Sequence, residues 1–126
     1  MYKTGKTEKY LSRVPIKKTR GKTLFLPVDR IDWIEAANQY VVVYCGRSRH
    51  LIRVSMTRML EQLDPDRFKR LHRSAIVNLD RIHALQVETP TRRWVFLEDG
   101  RRIPVSPKAW NGLHQELAGG VPGAFL

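Results

Sequence analysis

Short apolar segments separated by polar turns occupy most of the chain, and this pattern predicts a protein built mainly from β-strands. Many apolar positions hold valine, isoleucine, tyrosine or tryptophan, which have high β-propensity. The predicted strands cover residues 10–17, 23–26, 33–34, 40–44, 50–54, 75–79, 82–88, 94–97 and 101–105. Asp99-Gly100 is a strong hairpin signal, and residues 45–49 are predicted to turn a second hairpin. Residues 36–39 interrupt the apolar pattern and are predicted to form a loop.

Two segments change from strand spacing to helical spacing. Ser55 is a good N-cap residue, and an i, i+3, i+4, i+7 apolar stripe follows it. This stripe consists of Met56, Met59, Leu60 and Leu63. The second segment begins at Ser106-Pro107, because proline is well tolerated at the first helical position. Its apolar stripe consists of Trp110, Leu113 and Leu117. The sequence therefore predicts one short helix after Val54 and one C-terminal helix.

The segment from Phe68 to Leu79 joins a basic stretch to an apolar one. The cations in or just before the basic stretch are Arg67, Lys69, Arg70 and Arg73. Residues 75–79 have the composition of a buried strand. We interpret the segment as a basic loop that leads into a rigid strand, an arrangement that holds charge out toward an anionic partner.

Other cations recur where turns are predicted, at Arg47, Arg49, Arg92 and Arg93. Turns at the same edge of a sheet can present charge together, which favours binding of a polyanion. The alternative is that these arginines are dispersed charges that solvate both ends of the fold. The periodicity alone leaves both interpretations open.

The 126 residues suit one domain with one core, and the formal net charge is +11. Residues 1–23 hold eight Lys/Arg and one Glu (+7), whereas residues 24–126 hold fifteen Lys/Arg and eleven Asp/Glu (+4). We interpret residues 1–9 as a flexible basic arm, which either contacts a polyanion such as nucleic acid or is a solvated linker.

The remaining composition concerns the compartment. Cys45 is a single cysteine and has no partner for an internal disulfide, which fits a reducing cytoplasm. No stretch approaches the roughly 18 apolar residues of a membrane span. The N-terminus lacks the apolar run of a secretory signal. The sequence therefore predicts a cytoplasmic protein with no membrane partner.

Motifs for catalysis are absent from the sequence. There is no G-x-x-x-x-G-K-[ST] phosphate loop, no G-x-G-x-x-G, no H-E-x-x-H and no G-x-S-x-G. The four histidines are scattered, and no pair has metal-ligand spacing. We therefore predict no enzyme activity, no cofactor, no metal site and no small-molecule ligand.

Three blocks of sequence, taken in order, resemble the LytTR DNA-binding domain. They are Trp33-Ile-Glu-Ala-Ala-Asn38-Gln-Tyr40-Val, then Phe68-Lys-Arg-Leu-His72-Arg73-Ser74-Ala-Ile-Val-Asn78, then Asp99-Gly100 followed by Ile103-Pro-Val-Ser106. The His-Arg-Ser…Asn block is the most specific part. The resemblance covers residues 10–117, which leaves residues 1–9 as the arm and residues 118–126 as a C-terminal tail.

The resemblance implies an elongated stack of small antiparallel sheets with a short helix, and not a helix-turn-helix. It implies a bacterial transcription regulator, because such domains usually lie at the C-terminus of two-component response regulators. In the family, loops reach into successive major grooves and across the minor groove between them. Two copies commonly bind direct repeats. The expected partner is therefore double-stranded DNA, bound with sequence specificity.

The resemblance also assigns three contact segments. The residues expected to contact DNA are Asn38, Gln39, Tyr40, Arg70, His72, Arg73 and Lys108. The amides of the first segment suit bidentate contact with adenine, and the arginine at 73 suits guanine or phosphate. His72, together with Ser74 and Asn78, is also expected to shape the junction between loop and strand.

The third segment departs from the family pattern. The family commonly has an arginine directly after the serine, where this chain has Pro107. Lys108, with Arg101 or Arg102 nearby, is then expected to replace the missing cation.

Two other classes of protein remain open on the sequence. A small basic RNA-binding or ribosome-associated protein would use exposed aromatics on a sheet to stack bases. Trp33, Trp94 and Trp110 instead lie in apolar patterns and are predicted to be core residues. The other class is a protein-interaction module in which DNA plays no part.

Overall fold

The computed structural model describes residues 9–119, and within this range three antiparallel sheets and three short α-helices form the protein. The strands are β1 (Arg13–Lys17), β2 (Thr23–Pro27), β3 (Trp33–Ala37), β4 (Tyr40–Cys45), β5 (Ser48–Ile52), β6 (Phe68–His72), β7 (Ala75–Asn78), β8 (Ile82–Thr89), β9 (Arg92–Leu97) and β10 (Arg102–Pro104). The helices are α1 (Met56–Gln62), α2 (Pro107–Trp110) and α3 (Leu113–Ala118). The prediction of a mainly β fold is confirmed.

The five-stranded sheet is the middle layer, with strand order β5-β4-β3-β7-β6. One face packs against the β1–β2 hairpin and α1, and the other packs against the β10-β9-β8 sheet and the C-terminal helices. Successive strand residues point to opposite faces, so Ile76 enters the first core and Val77 the second. All four residues of β7 are buried for this reason. Residues 9–119 thus contain two apolar clusters where one core was expected.

The basic stretch before β7 is a strand, so the prediction of a basic loop was wrong. Residues 68–72 form β6, which pairs antiparallel with β7, and the register shifts between Arg70 and His72. Phe68 is buried in the first core and Leu71 in the second. The irregular register and the two intervening cations break the apolar alternation that marks a strand. Only Arg73 and Ser74 form the turn.

The loop predicted at residues 36–39 is a two-residue turn. Ala36 and Ala37 continue β3, and Asn38-Gln39 connects it to β4. Asn38 has φ of 60°, the left-handed conformation that asparagine tolerates and that tight hairpin turns require. Several cations expected in turns lie on strands instead, with Arg49 in β5 and residues 92–93 in β9.

The C-terminal helix predicted after Ser106 is broken in two. Its N-cap is as expected, because the Ser106 Oγ accepts a hydrogen bond from the Ala109 N–H at 3.2 Å. The break falls at Asn111-Gly112, where Gly112 has φ of 79°. A left-handed glycine ends one helix and lets the next begin in a new direction. Ser55 caps α1 as predicted and accepts from the Arg58 N–H at 3.0 Å.

The three tryptophans are half-buried, so their assignment to the core was too strong. Trp33 and Trp110 pack against the edge of the second core. Trp33 also stacks on Tyr44, with ring centroids 4.6 Å apart. Trp94 lies outside both clusters, and the Arg102 guanidinium is 4.0 Å from its ring centroid. Apolar sequence context placed Trp33 and Trp94 in strands and Trp110 in a helix, as observed, but arginine side chains cover the three rings.

The predicted arm and tail fall mostly outside the described residues, which exclude 1–8 and 120–126. No helix within residues 9–119 is long and apolar enough to cross a membrane.

Asn78 is a buried polar residue whose side chain links the end of β7 to the segment before β3, and its contribution to stability can be tested. It is 1% exposed, its Nδ2 donates to the Ile31 carbonyl at 2.8 Å, and its Oδ1 accepts from the Asp80 N–H at 3.0 Å. Asn78→Ala leaves the Ile31 carbonyl without its side-chain donor. We expect the free energy of unfolding in urea to fall by about 1–3 kcal/mol.

Asn111→Ala is the matched control, because Asn111 is exposed in the link between α2 and α3. Its effect should stay within about 0.5 kcal/mol. Equal stability losses for the two variants would contradict the structural role of Asn78.

Candidate nucleic-acid interface

Two of the predicted contact segments meet at one end of the five-stranded sheet. Strand β3 pairs antiparallel with β7, with Glu35 opposite Ala75. The Ala36 N–H donates to the Ser74 carbonyl at 3.0 Å, one step beyond that pair. The β3–β4 turn and the β6–β7 turn therefore lie side by side, which places Asn38 near the Arg73 turn.

The third segment joins the same edge from the other side of β6. The Ser106 N–H donates to the Leu71 carbonyl at 2.8 Å, which fixes the start of α2 beside the end of β6. An open groove of about 400 Å³ lies between them. Its lining residues are Arg70, His72, Arg73, Ser106, Lys108 and Ala109. The second and third predicted segments thus share one groove that has three cations and no carboxylate in its lining.

The exposure of the seven predicted residues separates them into two groups. Exposed are Asn38, Gln39, Tyr40, Arg73 and Lys108. Half-buried are Arg70 and His72. The exposed group can reach a partner directly, whereas the half-buried pair lies behind it in the groove.

Hydrogen bonds within the β6–β7 turn explain what the half-buried pair does. The Arg70 Nη2 donates to the Arg73 carbonyl at 2.6 Å. The His72 Nδ1 accepts from the Ser74 N–H at 3.2 Å and lies 2.8 Å from the Ser74 Oγ. These hydrogen bonds fix the backbone of residues 73 and 74. Arg70 and His72 therefore stabilise the turn, while the Arg73 side chain is exposed to solvent.

The sequence reasoning missed Arg53. This exposed residue follows β5, and its Nη2 donates to the Gln39 Oε1 at 3.1 Å. Its guanidinium also lies 5.9 Å from the centroid of the Tyr40 ring. In the β4–β5 hairpin, Val41 pairs with Ile52 and Cys45 with Ser48. Extending that register by one residue places Arg53 opposite Tyr40. A sequence prediction with the turn at residues 46–47 would therefore have placed Arg53 beside the first contact segment.

Another cluster of cations lies on the β9 side of α2. The Val105 N–H donates to the Arg93 carbonyl at 3.0 Å, and the Arg93 guanidinium is 5.4 Å from the Trp110 ring. The Arg92 guanidinium lies 5.5 Å from the Trp94 ring. The Trp94 Nε1 donates to Glu88 at 2.8 Å, and this hydrogen bond lowers the pKa of the Glu88 carboxyl. The basic edge therefore continues past the groove.

Other cations lie at the opposite end of the sheet. The Arg101 guanidinium is 4.4 Å from the Tyr44 ring, and Tyr44 lies four residues along β4 from Tyr40. That separation is about 13 Å along a strand. Arg101 is therefore not a substitute in the third segment. Arg47, in the β4–β5 turn, is also at this far end. Some of the turn arginines therefore lie together at one edge, as expected for polyanion binding, and others are dispersed to the opposite end of the fold.

Cys45 belongs to this far end as well. It is half-buried in an open cleft near Arg30, Asp32 and Arg81. Burial, and then the Asp32 carboxylate, raise the pKa of the thiol, although both arginines act in the opposite direction. Within residues 9–119, no group of three His, Cys, Asp or Glu side chains is placed to hold a metal ion.

Comparison with known proteins identifies the class of protein that this fold and edge define. The family model for the LytTr DNA-binding domain matches residues 21–118. The chain belongs to the LytTR family and is a DNA-binding domain of the transcription-regulator type.

Two relatives show how far the likeness extends. A solved structure, the LytTr DNA-binding domain of a Bacillus cereus protein described as a methyl-accepting/DNA response regulator, has a TM-score of 0.71 and 28% identity. The match covers 86% of this chain and 98% of that one. An uncharacterised response regulatory protein of Vibrio cholerae is 31% identical over 106 residues, which is 80% of this chain and 40% of the relative. The chain thus spans less than half of that relative.

The environment of Cys45 supports a test of reactivity. A raised pKa leaves less thiolate at neutral pH, and the thiolate is the nucleophile. We expect native Cys45 to react with a neutral disulfide reagent more slowly than the same cysteine in urea. The pH midpoint of the native reaction rate should also lie above that of the unfolded chain. A native midpoint at or below the unfolded one would contradict the assignment.

Proposed function

We propose that the chain binds specific sequences of double-stranded DNA with the edge formed by the β3–β4 turn, the β6–β7 turn and the start of α2. The observation that carries the proposal is the placement of the three segments in one continuous row. Phosphate contacts to the cations supply most of the affinity, and the exposed side chains of the turns supply the sequence discrimination.

The width of the row supports contact with more than one groove. Four neighbouring strands span about 14 Å from β4 to β6, since adjacent strands are about 4.8 Å apart. The start of α2 lies beyond β6. A major groove is only about 12 Å wide. A row of this width extends past one groove, so the segments enter neighbouring grooves and cross the phosphates between them.

The chemistry of each segment fits a different part of the duplex. Asn38 and Gln39 offer side-chain amides, which can contact base edges. Arg73 projects from a turn held by its own neighbours and can pair with guanine or phosphate. Lys108 is a point charge at the rim of the groove and suits phosphate or a base acceptor. Pro107 replaces the usual family arginine, so the lysine is the cation of the third segment.

The biological setting is a bacterial transcription regulator that acts in the cytoplasm. Two copies of the domain bind direct repeats, each copy with the same edge. Both relatives are described as response regulators, and one of them is more than twice as long as the aligned region. The regulator is therefore proposed to act in a two-component system.

Selection from random duplex DNA is the experiment that tests this function. We expect the full chain to enrich two direct repeats in helical phase. Competition with single-stranded DNA and with RNA, over a range of salt, separates the rivals. Equal or tighter binding of single strands would favour an RNA-binding protein, and no enrichment would exclude sequence-specific recognition.

Arg73→Ala tests the central segment. Loss of a base contact should weaken binding to the selected site by about 1–3 kcal/mol and relax preference at one position. Arg47→Ala is the matched control, because it removes an exposed arginine from the far end of the same sheet. Titration by fluorescence anisotropy measures both. Unchanged affinity and preference for the Arg73 variant would show that the segment is wrongly assigned.

Deletion of residues 1–9 tests the basic arm, which holds three lysines. A phosphate-binding arm should contribute to all sequences alike. We expect weaker binding to cognate and random duplexes, with the salt dependence flatter by about one unit of slope per lost phosphate contact. An unchanged slope would make the segment a linker.

A further inference from the structure

We infer that Arg53 and Gln39 form one recognition unit that selects guanine, and that Tyr40 positions this unit rather than contacting a base. The inference rests on the proposed function and names the base that the first turn prefers. It replaces the adenine contact expected from an isolated glutamine amide.

The orientation of the Gln39 amide follows from its partner. Arginine has only donors, so the atom 3.1 Å from the Arg53 Nη2 is the amide oxygen of Gln39. The Gln39 Nε2 and its two hydrogens then remain for an external partner. The exposed Arg53 guanidinium keeps further N–H groups of its own. The pair therefore presents several donors, and its principal acceptor is already engaged.

The donors and acceptors on each base edge decide whether this pair of side chains prefers adenine or guanine. Bidentate contact with adenine needs an acceptor for N6 and a donor for N7. Guanine instead presents two acceptors, O6 and N7, in the major groove. A second lone pair on the Gln39 oxygen remains, but a base donor there would lie beside the Arg53 cation. The donor-rich, positively charged unit therefore matches guanine.

Tyr40 supplies the platform for the unit. Tyr40 is 37% exposed, and the Arg53 guanidinium lies 5.9 Å from the centroid of its ring. A cation at this distance is attracted to the ring. The strand register also places Arg53 opposite Tyr40. The ring and the amide oxygen thus hold the guanidinium from two directions, which limits the side-chain entropy lost when DNA binds.

Parallel selections with the full chain, Arg53→Ala and Arg47→Ala test the assignment. We expect the wild type and the Arg47 variant to enrich the same guanine at one position per half-site. The Arg53 variant should lose preference there and keep it at the other positions. Its affinity for the wild-type site should fall roughly 5- to 150-fold, the range for one bidentate base contact.

A modified base separates base contact from phosphate contact. With 7-deazaguanine at that position, which lacks the N7 acceptor, wild-type binding should weaken and Arg53→Ala binding should not change further. Gln39→Ala should reduce the guanine preference. Tyr40→Leu should reduce affinity less than Arg53→Ala and retain sensitivity to the modified base. Thermal unfolding of each variant checks that it folds.

Several results would overturn the inference. One is adenine enriched at the position sensitive to Arg53. Another is a uniform loss of affinity in Arg53→Ala with every base preference intact, which would make Arg53 a phosphate contact. A selected site that is unaffected by Arg53→Ala would remove the inference and leave the proposed function standing. A wild-type selection without any enrichment would remove both.

Discussion

The pairing of β3 with β7 is the contact on which the interface depends. These strands belong to two hairpins far apart in sequence, and their antiparallel pairing sets both turns at one end of a sheet. A backbone hydrogen bond extends the β3–β7 pairing by one residue at each end. The Ala36 N–H donates to the Ser74 carbonyl at 3.0 Å, and the Asn78 N–H donates to the Asp32 carbonyl at 3.0 Å. A slip of one residue would exchange the apolar residues of the two cores, so burial on both faces fixes the register.

Local patterns predicted most of the elements but not this pairing. Alternation located most strands, and the caps at Ser55 and Ser106 located the helix starts, because both signals act within a few residues. Strand β6 was missed because a register shift and two cations hide its alternation. The break at Gly112 was missed because a single glycine is tolerated within many helices. Long-range pairing between hairpins leaves no local signal, so the common edge emerged only from the fold.

The candidate site was predictable to a different degree. The family resemblance located the turn residues, since motif spacing transfers between related chains. The junction role expected of His72 agrees with its contacts to Ser74. The resemblance did not predict that Arg70 lies behind the Arg73 turn, because that depends on a hydrogen bond within the turn. Arg53 was missed because the β4–β5 turn was placed too broadly, over five residues instead of two.

The bonds along the edge give its exposed side chains a defined arrangement before any partner binds. Gln39 is held by Arg53, and the backbone of the Arg73 turn is held by Arg70. Ordering a long side chain on binding costs about 0.5–1.5 kcal/mol, so contacts made beforehand reduce that cost. Phosphate attraction is indifferent to sequence and needs no such arrangement. The fixed amide and guanidinium geometry is therefore the part of the edge that the proposed discrimination among bases would use, and the remaining cations would attract any duplex.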